Sequence, residues 1–436
     1  MKKDISIVIL SAGAGSRMLS KKAKVLHEIS GKPMLYYSIF EALKISDDIT
    51  VVLFHQANRI KEKIDEYFKN NNIKYITQDH KNYPGTGGAM MNLKFQTKKC
   101  LVLNGDMPLV QYSELEKLIS TQNEVMTMSI FKLKDASGYG RVKIEDGKVV
   151  KIIEQKDCTK EELEIKEANA GVYCFDVEFL AQNLPKLNNK NAQKEYYITD
   201  LVTLAIKEEK NIKVVVVDEQ NFKGVNNKLD LSFAEVLHQN RIKKQFMLQG
   251  VVMRLPDTIY IEDGVKIIGE CVIENCVTIK GNTTIQNSHI VSNSIIENSI
   301  IKDSTIGPYA RIRPQSDITN THIGNFVEIK KSTLTGTKAG HLSYIGDTNI
   351  AQGSNIGAGT ITCNYDGLNK HKTTIGQNVF IGSGTQLIAP LKIEDDSIVG
   401  AGSTITKDIK SGELVLTRAK TKIVKNYFFK FFGKKK

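Results

Sequence analysis

Four short stretches carry side chains that could do chemistry. The first is Ser11-Ala12-Gly13-Ala14-Gly15-Ser16-Arg17, which follows the apolar run Ile5 to Leu10 and precedes Lys24 and His27. Glycines after a buried strand let main-chain N–H groups approach a phosphate, and Arg17 and Lys24 could neutralise its charge. The segment lacks the last Gly of GxGxxG, because Met18 stands there, and it lacks the GK[ST] ending of a Walker A. Alone, such a turn is as well explained by chain reversal as by a ligand. The second stretch is Pro84-Gly85-Thr86-Gly87-Gly88, ahead of an expected helix. The third, Leu101-Val102-Leu103-Asn104-Gly105-Asp106, ends a strand in a carboxylate. Asp106 could hold Mg²⁺, which takes a few carboxylates plus substrate phosphates, or could be a turn aspartate before Met107-Pro108. The fourth contains His341, an imidazole able to take a proton near neutral pH, or else a corner histidine in a polar turn. A zinc site from His289, His322 and His341 is rejected, since no cysteine is suitably spaced. His27, His55, His80 and Tyr83 are assigned only to packing or surface.

The elements that must position these groups differ between the two halves of the chain. From residue 5 to about 228, strand runs (Ile5 to Leu10, Ile49 to Phe54, Ile73 to Thr77, Cys100 to Leu103, Val125 to Leu133, Val214 to Val217) alternate with helical stretches such as Met34 to Lys44 and Arg59 to Asn70. That alternation predicts a mainly parallel α/β sheet covered on both faces, with its site at the carboxyl ends of the strands. Residues 228–249 place apolar side chains at helical spacing and stop at Gly250, a linking helix.

Beyond it, aliphatics recur every six positions: Ile267, Ile273, Ile279, Ile285; then Ile306, Ile312, Ile318; then Ile375, Ile381, Leu387, Ile393, Val399, Ile405. Neither a helix nor an open sheet has that period. It predicts a parallel β-helix whose inward aliphatics stack coil on coil. The ladder breaks between Ile361 and Ile375, and an insertion in a solenoid becomes a loop on one face, often the binding face.

Composition removes other classes. With 436 residues, net charge +12, 41% hydrophobic and 25% charged residues, the chain is neither disordered nor fibrous. The first residues lack the apolar region and cleavage site of a signal peptide, and no run approaches the ~18 apolar residues of a membrane span. Six scattered cysteines without CxxC spacing point to a reducing, cytoplasmic setting. Residues 419–436 interleave lysines with Tyr427, Phe428, Phe429, Phe431 and Phe432. Such text can bind single-stranded nucleic acid or an anionic bilayer. Here it is expected to be a mobile or packing arm, with no nucleic-acid partner and no stable membrane insertion.

The opening and LVLNGD resemble the sugar-nucleotidyltransferase family, together with Gly138-Tyr139-Gly140-Arg141, Glu154-Gln155-Lys156-Asp157, Asn169-Ala170-Gly171, Glu195 to Asp200 and Gly224-Val225-Asn226-Asn227. Downstream, Arg311-Ile312-Arg313-Pro314, Gly324 to Lys331, Lys338 to Asp347, Asn355 to Thr360 and Asn364-Tyr365-Asp366-Gly367 extend the likeness over residues 5–418. The chain is similar to bifunctional N-acetylglucosamine-1-phosphate uridylyltransferase/glucosamine-1-phosphate acetyltransferases. That resemblance implies a Rossmann-like nucleotidyltransferase domain (1–227), a linker helix (228–249) and a left-handed β-helix acetyltransferase domain (250–418) before the basic aromatic tail (419–436).

It also implies roles. Leu10, Ser11, Ala12, Gly13, Gln78, Gly85 and Thr86 would hold the uridine of UTP. Arg17 and Lys24 would hold its phosphates and serve catalysis, Gly140, Glu154 and Asn169 would bind the sugar, and Asp106 and Asn226 would carry Mg²⁺. In the second half His341 would be the general base and Glu328 its acidic neighbour. Arg313, Lys330, Tyr344 and Lys370 would bind the phosphate of glucosamine 1-phosphate. Asn355 and the inserted-loop residues Asn364 and Tyr365 would complete the pocket. Ala358, Ser383, Ala401 and Arg418, with Asn364 and Tyr365, match acetyl-CoA positions, and the assembly would be a homotrimer. Two departures stand out, Ala23 before Lys24 and Asn104 before Gly-Asp. The rival readings are a single-activity nucleotidyltransferase with a structural β-helix, and a non-enzymatic trimeric scaffold.

Overall fold

Alternate residues of the first strand sort to opposite sides of a sheet: Ile7 and Ile9 join one buried cluster, Val8 another. Val51 and Val52, and Leu101 and Val102, divide in the same way. A strand whose two faces are both apolar must be covered on both, which is the α/β arrangement. In the computed structural model, which describes residues 2–191 and 193–435, the chain forms two units that divide between His238 and Gln239.

The first unit is a Rossmann-like nine-stranded sheet. Its strands are β1 (Ser6–Ser11), β2 (Ile49–Leu53), β3 (Ile73–Thr77), β4 (Lys99–Asn104), β5 (Met126–Lys132), β6 (Arg141–Glu145), β7 (Lys148–Ile153), β8 (Glu167–Asp176) and β9 (Ile212–Val216). The order is β9-β5-β8-β4-β1-β2-β3. All neighbours along that path are parallel except β8, which runs antiparallel between β4 and β5. The hairpin β6–β7 attaches to β8. It turns at Asp146-Gly147, both left-handed (φ 48° and 75°), the pair a two-residue turn of this hand requires. Where a helix is expected after Gly88, there is one 3-10 turn, Gly88–Met90.

The second unit is a left-handed parallel β-helix with three sheets of ten, nine and eight strands. Every aliphatic of the six-residue series is buried, in one continuous core. Burying such a side chain contributes about 1.5–3 kcal/mol, so the stack is the unit's main source of stability. Between Ile285 and Ile306 the buried aliphatics are Ile290, Ile296 and Ile301. Several sides there are five residues long, which accounts for the broken period in the sequence. At the insertion Thr362, not Ile361, faces inward, opposite Leu387. Its hydroxyl accepts from Gly346 N (2.7 Å) and so replaces a ladder hydrogen bond.

A helix, Lys228–Leu248, contains the division. Its first half contributes Leu231, Ala234 and Leu237 to a cluster with Met34 and Tyr37 of the first unit. In the second unit, Gln239 serves the backbone of Ile261, accepting from its N–H (3.0 Å) and donating to its carbonyl (2.7 Å). Lys243, buried, donates to the carbonyl of Pro256 (2.7 Å). These side chains satisfy backbone groups that an open solenoid end would leave unpaired.

Candidate active sites

In the first unit the carboxyl ends of β1 and β4 open into a cleft of about 410 Å³. Leu10, Ser11, Ala12, Gly13, Lys24, Gln78, Gly85, Thr86 and Asp106 all line it. Backbone pairing holds the rim: Gly105 N–H donates to the carbonyl of Leu10 (2.9 Å), which fixes the glycine turn against the end of β4. Gln78 Nε2 donates to the carbonyls of Tyr83 (2.8 Å) and Gly85 (2.9 Å) and so shapes the second glycine turn. Thr86 Oγ1 accepts from Ile198 N (3.1 Å).

Asp106 is ion-paired with Lys24, both side chains mostly buried. Arg17 Nη2 donates to Asn226 Oδ1 (2.8 Å), and Val225 N donates to the Asp106 carbonyl (2.9 Å). Arg17, Lys24, Asp106 and Asn226 therefore converge from three distant parts of the sequence. A Cβ on Gly224 would lie 3.3 Å from Asp106 Oδ1, so a side chain there would press the carboxylate aside by a few tenths of an ångström. A carboxylate and an amide oxygen are donor types that suit a cation keeping water and substrate phosphates as its other ligands. No cluster of three or more His, Cys, Asp or Glu that could hold a metal ion occurs among the described residues.

A second cleft of about 290 Å³ shares Leu10, Thr86, Asn104 and Glu195 with the first and adds Glu154 and Asn169. Gly140 borders it, its carbonyl accepting from Asn169 N (2.9 Å). Burial, with Asp157 and Asp200 adding like charge, pushes the Glu154 carboxyl above the usual range. Among the lining side chains without a role in the sequence reading are Phe54 and His80, stacked at 4.6 Å on the rim, and Glu195. Phe54 and His80 sit just past the ends of β2 and β3, a position their strand assignment could have signalled.

In the second unit His341 is exposed at the end of a strand, Lys338–His341. Coil-to-coil hydrogen bonds put it on one corner column: Leu342 N to Asn325 O (2.9 Å), Gly359 N to His341 O (3.4 Å), Gly384 N to Ala358 O (2.7 Å) and Gly402 N to Ser383 O (2.8 Å). His341, Ala358 and Ser383 thus hold equivalent places in successive coils, and Ala401 continues the series. The glycines after the last three, Gly359, Gly384 and Gly402, are all left-handed (φ 72°, 68° and 72°), leaving a bare backbone groove down the column. A Cβ on Gly402 would lie 3.9 Å from the stem of Arg418.

Lys330, Lys370 and Arg313 form a cationic cluster: the neighbouring Lys370 ammonium, then burial and Arg313, holds the Lys330 amine below its ordinary value. Tyr344 and Asn364 both approach Gly346, opposite Lys330 in the ladder. Asn364 Nδ2 donates to Asp347 Oδ2 (2.5 Å). Asn355 lies on the His341 sheet, in register with Lys338 and Phe380. Tyr365 is exposed in the inserted loop, which Asp366 braces by accepting from Leu368 N (2.8 Å), Asn369 N (2.6 Å) and His371 Nε2 (2.7 Å). Glu328 accepts from Arg313 Nη1 (2.8 Å); among the described residues no hydrogen bond joins it to His341.

Residues 6–221 match the family described as nucleotidyl transferase, and residues 372–407 match bacterial transferase hexapeptide (six repeats). Over its length the chain is similar to "Bifunctional protein GlmU" of Aliarcobacter butzleri, 63% identical with 99% of each chain covered. The same name is carried by a relative in Nitratiruptor, 57% identical, covering 98% of this chain and 99% of that one. A third, in Wolinella succinogenes, is 55% identical and covers 99% of this chain and all of its own.

Proposed function

The chain belongs to the GlmU family of bifunctional proteins, and from that premise we propose two reactions, one in each unit. The second unit acetylates glucosamine 1-phosphate. The amine attacks the thioester carbonyl of acetyl-CoA, a C–N bond forms, the C–S bond breaks, and CoA leaves. His341 takes the proton the amine loses. The phosphate of the sugar is held by Tyr344 and by Arg313, Lys330 and Lys370, whose like charges are relieved when a dianion enters. Asn355, Asn364 and Tyr365 complete the pocket. Acetyl-CoA lies along the glycine groove beside Ala358, Ser383, Ala401 and Arg418. Glu328 acts on this site through Arg313.

The first unit then makes UDP-N-acetylglucosamine. A phosphate oxygen of N-acetylglucosamine 1-phosphate attacks the α-phosphorus of UTP, a P–O bond forms, and pyrophosphate leaves with the electrons of the broken bond. No protein nucleophile is needed, because alignment and charge neutralisation supply the rate. Leu10 to Gly13, Gln78, Gly85 and Thr86 hold the nucleotide, Gly140, Glu154 and Asn169 the sugar, and Arg17 and Lys24 the phosphates. Asp106 and Asn226 would hold Mg²⁺, which supplies positive charge to the phosphates when bound.

We further assign the domain limits 1–227, 228–249, 250–418 and 419–436, a homotrimeric state and a cytoplasmic place of work. No helix among the described residues is long and apolar enough to cross a membrane, and all six cysteines are free.

The observation that carries this reading is the presence of two separate polar clusters, one per unit, at residues the family resemblance assigns to two chemistries. A coupled assay tests it, with glucosamine 1-phosphate, acetyl-CoA, UTP and Mg²⁺, following CoA and pyrophosphate separately. His341→Ala is expected to lower CoA release by about 10²–10⁴-fold, the usual contribution of a general base, while pyrophosphate release from supplied N-acetylglucosamine 1-phosphate persists. Asp106→Asn is expected to do the reverse. Loss of both products from either variant, or of neither, overturns the division of labour.

A further inference from the structure

Beyond the two reactions, the C-terminal segment carries no residue assigned to either site. Residues 419–435 contain six lysines and no acidic residue, and the last acid before them is Glu413. Only the short helix Tyr427–Phe431 forms there, and its rings do not enter the β-helix core. Tyr427, Phe428, Phe431 and Phe432 fall at i, i+1, i+4 and i+5, one side of a helical turn, and each is more than half exposed. They pack on one another instead: Tyr427 stacks on Phe431 at 5.8 Å, Phe428 meets Phe432 at 4.8 Å, and Phe431 meets Phe432 at 5.0 Å. Ile423 (81% exposed) and Val424 (56%) extend the apolar surface, and Lys425 and Lys430 flank it.

We propose that this segment is a docking surface for an anionic phospholipid bilayer, with the ring cluster sunk at the headgroup level and the lysines on the lipid phosphates. Two observations favour a bilayer over single-stranded nucleic acid. Bases stack on ring faces presented singly, whereas these rings are spent on each other and form one apolar lobe. Ile423 and Val424 offer no stacking surface, yet suit acyl chains. The charge is complementary without exception, since no carboxylate in the segment would face the lipid phosphates. One short amphipathic turn with a polybasic flank gives reversible adsorption, not spanning.

The test is co-sedimentation of the full chain with vesicles of phosphatidylcholine alone and of phosphatidylcholine with phosphatidylglycerol. The full chain is expected to bind the anionic vesicles at least about tenfold more than the neutral ones, and raised salt should weaken the binding. A chain ending at Ala419, Phe428→Ser/Phe431→Ser/Phe432→Ser and Lys422→Gln/Lys425→Gln/Lys430→Gln should each lose it while keeping both turnovers, which excludes misfolding as the cause. Equal sedimentation of the full and shortened chains overturns the proposal. So does retention of binding by the ring variant, as does tight binding of poly-uridine in place of vesicles. A change in oligomeric mass on shortening, without vesicle binding, would assign the lobe to a second copy of the chain and equally overturn it.

Discussion

At the scale of single residues, like charge explains more than pairing does. Lys330 has its amine held down by Lys370 and Arg313, so the folded chain binds its proton less tightly than the unfolded chain. In the free protein Lys330→Gln is therefore expected to leave stability unchanged or slightly raised, while the KM for glucosamine 1-phosphate rises. Thermal melts with and without the sugar phosphate, alongside initial rates, measure both effects. Glu154 has the opposite sign. Its carboxyl titrates above the ordinary range, so between that range and its raised value the folded state holds more protons than the unfolded, and stability falls as pH rises. Glu154→Gln should flatten that decline in urea unfolding curves taken between about pH 4 and pH 7. That Ser11 to Gly13 and Asp106 would border one cleft was legible beforehand, because Ser11 to Arg17 and LVLNGD are contiguous phrases. The pairing of Glu328 with Arg313 was not. It depends on side chains 15 residues apart being stacked by the coil, and on which of two neighbours reaches first.

Elements account for how those residues come together. The six-residue period specified the β-helix because inward positions recur only at that spacing, and the whole aliphatic series is buried. The stretch between Ile285 and Ile306 was opaque because shortened corners erase the period while preserving the stack. In the first unit, β6, β7 and β8 went unassigned, although Asp146-Gly147 is the turn the β6–β7 hairpin demands. The reversed direction of β8 left no trace in its residues, since a buried strand has the same composition either way up. The solenoid's first coil depends on Gln239, which pairs with both backbone groups of Ile261. Gln239→Met keeps the volume and removes both partners, so it should destabilise the second unit by about 1–3 kcal/mol. Chemical denaturation followed by the β signal in circular dichroism would register the loss.

On the scale of the whole molecule, the contact-based division at His238/Gln239 and the proposed domain limit at 227 differ by half a helix. The difference is measurable. Leu231, Ala234 and Leu237 pack with Met34 and Tyr37, so a fragment ending at 238 should be more stable than one ending at 227 by roughly 3 kcal/mol of apolar burial. Urea midpoints of the two fragments decide it, and equal midpoints would put the limit at 227. The two units also differ in how far apart in sequence their neighbours lie. Each β-helix strand pairs with the one a single coil later, whereas β1 sits between β2 and β4, and β5 must wait for β8 and β9. During synthesis on the ribosome, the opening sheet stays unfinished until Val216 has emerged, and its hydrophobic edges need shelter until then. The solenoid has no such delay: it can lengthen behind the exit tunnel rung by rung, each new turn finding its template already laid down.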